Sequence, residues 1–127
     1  MQLETWHIIV LVVMTTLVFF FTLTYFQQKN ACESLSADEL KKCMRKGQLI
    51  DVRTKKEYEA GHINGARNIS VQTIGREYKK IRKDQPIYLY CASGKRSKRA
   101  ALLLKAKGYT DIYDLAGGIV SWNGPLK

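Results

Sequence analysis

The apolar positions of this chain fall into two regimes. From Ile8 to Phe26 the sequence reads IIVLVVMTTLVFFFTLTYF, 19 residues with no charge and no polar face. At about 1.5 Å rise per helical residue this run reaches roughly 29 Å, close to the ~30 Å hydrocarbon core of a bilayer. Its four threonines (Thr15, Thr16, Thr22 and Thr24) are compatible with that environment, because a Thr hydroxyl can bond back to a carbonyl of its own helix. Trp6 and Tyr25 lie near the two ends, where amphipathic rings favour the interface. A cleaved signal peptide is the rival reading. It calls for a basic leading segment and a small-residue cleavage site, whereas MQLETWH is not basic and QQKNAC has no A-x-A pattern. Residues 1–28 are therefore expected to form a transmembrane anchor.

Beyond residue 28 the apolar runs are short and punctuated. Ser36-Ala37-Asp38-Glu39 has the capping-box pattern, with Leu40, Cys43 and Met44 at helical spacing behind it, so a helix is expected to about Lys46, ended by Gly47. Gln48–Val52 reads as a strand. Thr54 to Glu57 is a second capping box that opens a short helix closed by Gly61. A short strand is expected within His62–Val71 and a helix over Gln72–Arg82. Ile87–Tyr90 is a four-residue apolar run suited to a strand buried on both faces. Ser97–Lys107 reads as a helix with Gly108 at its end, followed by a last strand over Asp111–Leu115 and a turn at Gly117-Gly118. Strands alternating with helices predict an α/β domain with a mainly parallel sheet over residues 36–127, joined to the anchor by a juxtamembrane linker at 29–35. A sheet of this kind carries its site at the carboxyl ends of its strands.

Charge sharpens this division. The 127 residues hold 21 Lys and Arg against 11 Asp and Glu, a formal net charge of +10. Residues 1–28 contain one acid, Glu4, and no Lys or Arg, so every Lys and Arg lies in the body. Lys29, Lys41, Lys42, Arg45 and Lys46 follow the apolar run and none precedes it. The positive-inside rule then turns the body toward the cytoplasm of a single-pass membrane protein. Three cysteines cannot build a disulfide framework, and free thiols suit a reducing compartment. Two histidines without a C-x2-C pair exclude a structural zinc site. No metal or other cofactor is called for. The basic body lacks a basic-aromatic stacking platform or a DNA-reading motif, so contact with anionic lipid headgroups is expected and nucleic-acid binding is not.

The chemistry concentrates at Tyr90-Cys91-Ala92-Ser93-Gly94-Lys95-Arg96-Ser97. A cysteine ends a buried strand, a glycine-containing loop follows, and a helix begins. Successive backbone N–H groups in such a loop curl around one point, and the helix N-terminus adds partial positive charge there. Lys95 and Arg96 in the loop, with Lys98 and Arg99 in the first helical turn, add four cations. A thiolate at Cys91 would be stabilised on all three counts. The alternative is that Cys91 is a small buried apolar residue.

Several segments together resemble the rhodanese-like sulfurtransferase family. Leu49-Ile50-Asp51-Val52-Arg53 with Glu57-Tyr58 is similar to its DVR…EY segment. Gly61-His62-Ile63-Asn64-Gly65-Ala66-Arg67-Asn68-Ile69 is similar to GHIPGA.NI, with Asn64 where the family usually has Pro. Cys91 to Ser97 matches its active-site loop, and Leu115-Ala116-Gly117-Gly118 with Trp122 its L.GG…W signature. The resemblance covers Leu35 to Gly124. It implies a small parallel sheet flanked by helices on both faces. It also implies a sulfurtransferase that carries sulfane sulfur on Cys91, from a small anionic donor such as thiosulfate to a thiol or cyanide acceptor. Ala92, Ser93, Gly94, Lys95, Arg96 and Ser97 are then the substrate-binding loop. Two other readings stand beside it: a non-enzymatic persulfide carrier or adaptor at the membrane, and a Cys-based phosphatase or arsenate reductase. The last group uses C-x5-R. Cys91 and Arg96 here enclose four residues, a shorter loop that by resemblance goes with sulfur transfer.

The remaining polar residues are weighed individually. Arg53 and Glu57 are expected to pair with each other and pin the short helix, with substrate contact as the alternative. Asp51 is a supporting hydrogen-bonding or functional residue near the site, and His62 a structural turn residue. Lys95 and Arg96 are the candidates for recognising an anion. Cys43 is expected on an apolar helix stripe, and Cys32 as an exposed thiol without a role in chemistry, a resolving role being the alternative.

Overall fold

The computed structural model describes residues 2–29 and 32–127, which divide into two compact units at residue 30. The first unit is one helix, α1 (Gln2–Lys29). Glu4–Phe26 is long and apolar enough to cross a membrane, with a mean hydropathy of 2.4. The threonines behave as the pattern requires: Thr16 Oγ1 donates to Val12 O at 2.7 Å, Thr22 Oγ1 to Val18 O at 2.7 Å, and Thr15 and Thr24 to carbonyls three and four residues back. Each hydroxyl is satisfied inside the helix, so none has to find water.

The second unit is a five-stranded, all-parallel sheet. Its strands are β1 (Glu33–Leu35), β2 (Gln48–Asp51), β3 (Arg67–Asn68), β4 (Ile87–Tyr90) and β5 (Ile112–Leu115), in the order β1-β5-β4-β2-β3. β4 is central. Its four residues and those of β2 are buried without exception, because both faces of the sheet are covered. Alternation sends Ile50, Ile87, Leu89 and Ile112 to one core, with Ala100, Ala101 and Leu104 of α5 (Lys95–Ala106). Leu49, Tyr88, Tyr90 and Leu115 enter the other, with Leu40 of α2 (Ala37–Cys43) and Ile63. The parallel sheet flanked by helices on both faces is thus present.

Local chemistry explains the shorter elements. Ser36 caps α2 by accepting from Glu39 N at 3.2 Å. Thr54 and Glu57 form a complete capping box on α3 (Lys55–Ala60). Four boundaries differ from expectation. The first helix is α-helical only to Cys43 and finishes as a 3-10 turn over Met44–Lys46. The helix expected over Gln72–Arg82 is split into α4 (Ile74–Glu77) and a 3-10 turn, Tyr78–Lys80, because Tyr109 Oη donates to the carbonyls of Tyr78 (2.6 Å) and Ile81 (2.7 Å) and tightens the chain there. The stretch 29–35, expected as a linker, contains edge strand β1; residues 30 and 31 of it lie outside the described residues. α5 starts at Lys95, two residues earlier than expected.

Candidate functional site

Cys91 is the first residue after the central strand, and its side chain is buried. The chain leaves β4, makes the short loop Ala92-Ser93-Gly94 and enters α5. Gly94 has φ 108°, a left-handed conformation that lets it cap the helix and turn its own N–H back toward the cysteine. That N–H donates to Cys91 Sγ at 2.9 Å. Ser97, one turn into α5, places its Oγ 3.7 Å from the sulfur on the buried side. Negative charge on Sγ therefore meets a backbone donor and the N-terminus of a twelve-residue helix.

The cations of the loop are not equivalent. Arg96 does not stand free: its Nη1 and Nη2 bond Glu57 Oε1 and Oε2 at 2.6 and 2.9 Å, a two-pronged pair between α5 and α3. This holds the Glu57 carboxyl down to about 2, Arg96 being the main cause and the Thr54 backbone N–H a further one. Lys98 reaches across to Ser34 Oγ (3.0 Å) and Asp114 Oδ2 (3.5 Å). Lys95, Ser93 and Arg99 are exposed. Two of the four cations expected to act freely around Cys91 are thus committed to carboxylates.

The expected Arg53–Glu57 pair is not formed. Arg53 instead folds back on Asp51: Nε lies 3.0 Å from both carboxylate oxygens and Nη2 donates to Oδ2 at 2.7 Å and to Gly61 O at 2.6 Å. Asp51 is fully buried at the end of β2, paired in register with Tyr90, and so needs a cation of its own. Glu57, left without Arg53, takes Arg96. Asn68 closes this corner by donating to the carbonyls of Asp51 (3.0 Å) and Arg53 (2.9 Å). Asp51 and Arg53 thereby brace the loop end of β2 beside the Cys91 strand. His62 is structural as expected, stacked on Tyr58 at 3.7 Å with Nδ1 2.9 Å from Tyr58 O.

Two residues, Asp114 and Ser34, escape the sequence reading, and Gly118 is legible there only as part of a turn and a signature. Gly118 (φ 70°) packs directly on the loop, where an added Cβ would meet the carbonyl of Ala92, while Ile119 N donates to Cys91 O at 2.9 Å. Asp114, buried in β5, contacts Ser97 Oγ at 3.0 Å and Ser34 Oγ at 2.6 Å. Ser34 lies on the unexpected strand β1. The only prior signal for Asp114 was an acid inside an apolar strand run. Cys32 is half-buried rather than exposed: it packs against the core that contains Cys91, and burial together with Asp114 pushes its thiol up to about 12. Cys43 lies on α2 against the opposite core, its thiol donating to Glu39 O at 3.1 Å. Trp122 packs on that same core and lines a cleft of about 360 Å³ with Met44, Leu49 and Asn64, none of them from the Cys91 loop.

With this fold and loop described, comparison with known proteins gives the class. Residues 36–125 match the family model of the rhodanese-like domain, and the chain belongs to that family. Among its relatives is a Bacillus subtilis protein, the uncharacterized protein YqhL, 40% identical over 121 residues, 95% of this chain and 96% of that one. The thiosulfate sulfurtransferase GlpE of Pseudoalteromonas translucida is 35% identical over 74 residues, 58% of this chain and 70% of its own. A Staphylococcus aureus rhodanese-like domain protein of known structure superposes with a TM-score of 0.68 at 32% identity, covering 75% of this chain and 96% of that one. Several longer relatives match too, of which this chain spans less than half. The chain is a rhodanese-like protein of a family that includes sulfurtransferases, preceded by a helix able to span a membrane.

Proposed function

We propose that this protein is a membrane-anchored sulfurtransferase that carries sulfane sulfur on Cys91. The observation that bears most of the weight is the Gly94 N–H aimed at Cys91 Sγ at 2.9 Å, at the entrance to α5. In the first step the Cys91 thiolate attacks the outer sulfur of an anionic donor such as thiosulfate. A sulfur–sulfur bond forms to Cys91, the donor's own sulfur–sulfur bond breaks, and sulfite leaves with the electron pair. In the second step a thiolate or cyanide attacks the outer sulfur of the Cys91 persulfide, and the Cys91 thiolate departs with the electrons of the broken bond. This is nucleophilic catalysis in two displacements. The loop Ala92, Ser93, Gly94, Lys95, Arg96 and Ser97 cradles the transferred sulfur and the donor. In this reading the exposed Lys95 draws the anion in, and Arg96, tied to Glu57, fixes the loop. Asp51 and Arg53 support the neighbouring strand end. The loop is one residue shorter than a C-x5-R cradle, which disfavours a phosphate ester or arsenate centred over the sulfur.

α1 would hold the domain at the bilayer with the body on the cytoplasmic side, its basic surface facing anionic headgroups. The test is thiosulfate:cyanide transfer by wild type and Cys91→Ser, with mass spectrometry of Cys91 after exposure to thiosulfate. Turnover lost in the variant and one added sulfur atom on Cys91 are expected. Equal rates in both proteins would overturn the proposal. A stable persulfide with negligible turnover would identify the carrier function instead.

A further inference from the structure

Asp114 is 1% exposed, yet it is surrounded by donors from three directions. Oδ1 accepts from Ser34 Oγ of β1 at 2.6 Å. Oδ2 lies 3.0 Å from Ser97 Oγ and 3.5 Å from Lys98 Nζ, both of α5. Three donors, from β1 and α5, thus converge on this one carboxyl group. The half-buried Cys32, on the segment entering β1, packs against the core on this side. Asp114 faces the α5 side of the sheet because alternation along β5 sends Ile112 there and Tyr113 and Leu115 to the other core.

The consequence falls on Ser97. Its hydroxyl has one hydrogen and three acceptors within reach: Asp114 Oδ2 at 3.0 Å, Gly94 O at 2.9 Å and Cys91 Sγ at 3.7 Å. Gly94 O is neutral and already receives the Lys98 backbone N–H at 3.3 Å, so the carboxylate is the strongest competitor. With its hydrogen turned to Asp114, the Ser97 oxygen presents a lone pair to Cys91 and accepts the thiol hydrogen. For Ser97 to join the Gly94 N–H as a donor to a negatively charged sulfur, its hydrogen must leave Asp114 and turn to Sγ.

We infer that Asp114 is a positioning residue: by holding the Ser97 hydroxyl hydrogen it sets which way Ser97 faces Cys91, and so restrains the conversion of Cys91 from thiol to nucleophile. This deepens the reading of Cys91 as the reacting group and rests on it. The transfer step itself is unchanged; only the proton that Cys91 must surrender first, through Ser97 or to solvent, is affected.

The test reads Cys91 directly. The full chain is labelled with iodoacetamide at pH 6.5, and the rate at Cys91 is followed by peptide mass spectrometry in wild type, Asp114→Asn, Ser97→Ala and the double variant. Asp114→Asn is expected to label Cys91 about fivefold faster, and that gain is expected to vanish in the Ser97→Ala background. No gain would overturn the inference. So would an equal gain in the Ser97→Ala background, which would mean a direct field effect or a loosened loop. If Asp114→Asn does not fold, the charge-neutral Ser34→Ala decides. It removes one donor from Asp114, strengthens its hold on Ser97 and is expected to slow labelling about twofold; an unchanged rate would overturn the inference. Labelling needs no sulfur donor, so this outcome is separable from the thiosulfate assay, whose failure would remove the sulfurtransferase reading and leave the labelling result intact.

Discussion

Glu57 and Arg96 join α3 to the first turn of α5 across 39 residues of chain. The Glu57 carboxyl sits at about 2 against an ordinary 4.5, so its folded form holds a proton less tightly than its unfolded form. The stabilisation is therefore complete above about pH 4.5 and is lost as pH falls toward about 2. Both side chains are about a third exposed (36% for Glu57), and solvent screening limits the pair to about 1 kcal/mol. Glu57→Gln should cost that much at pH 7 and only a small fraction of it at pH 2, as read by urea denaturation midpoints at the two values. A difference that persists undiminished at pH 2 would show that packing, not charge, is what Glu57 supplies. The pair also marks the limit of what the sequence disclosed at this scale. Glu57 stands four residues after Arg53, and nearness in sequence suggested their pairing. Buried Asp51 took the closer cation, and nothing local points to Arg96 as the replacement. The placement of Cys91, by contrast, was legible because strand end, glycine and helix start coincide around it.

Elements show the same division. The capping boxes, the apolar four-residue strands and the glycine-closed helix were readable because each signal is local. Strand β1 was not: three residues, Glu33–Leu35, carry no alternation, and they pair only because β5 offers an open edge. The Gln72–Arg82 helix broke because Tyr109, from another part of the chain, captures two of its carbonyls. The Gly117-Gly118 turn is readable as a turn, but its work is tertiary. Its Ile119 N–H holds the Cys91 carbonyl, and Gly118 lies where a Cβ would stand 2.6 Å from Cys91 O and 2.5 Å from Ala92 C. Gly118→Ala should therefore combine left-handed backbone strain with a clash that moves the loop, lowering stability by about 2 kcal/mol or more. Transfer from thiosulfate should fall at least about tenfold, because a displaced loop no longer aims Gly94 N–H at the sulfur. Gly75→Ala on α4 is the matched control. An added Cβ there meets nothing within 4 Å, and the change should leave thermal stability equal or slightly raised. Equal effects of the two substitutions in calorimetry and transfer assays would refute the clamp.

At the scale of the molecule, the +10 charge resolves into tasks with separate addresses. Arg53, Arg96 and Lys98 are spent on internal carboxylates, so the surplus that meets solvent lies elsewhere on the body. Apart from Lys29, its last residue, α1 contributes no Lys or Arg, and its apolar side chains are exposed along its length. Exposed apolar surface on this scale costs too much in water and is stable in hydrocarbon, where the helix satisfies its own backbone and threonine hydroxyls. In the proposed anchored form, the cluster from Lys29 to Lys46 would resist crossing the bilayer and set the body on the cytoplasmic side. A membrane-impermeant amine-reactive biotin reagent tests this on intact cells expressing the full chain. Lys41, Lys42 and Lys95 should be labelled only after lysis, and the protein should stay in the membrane pellet through alkaline carbonate. Labelling in intact cells would reverse the orientation. Release into the carbonate supernatant would overturn the anchor.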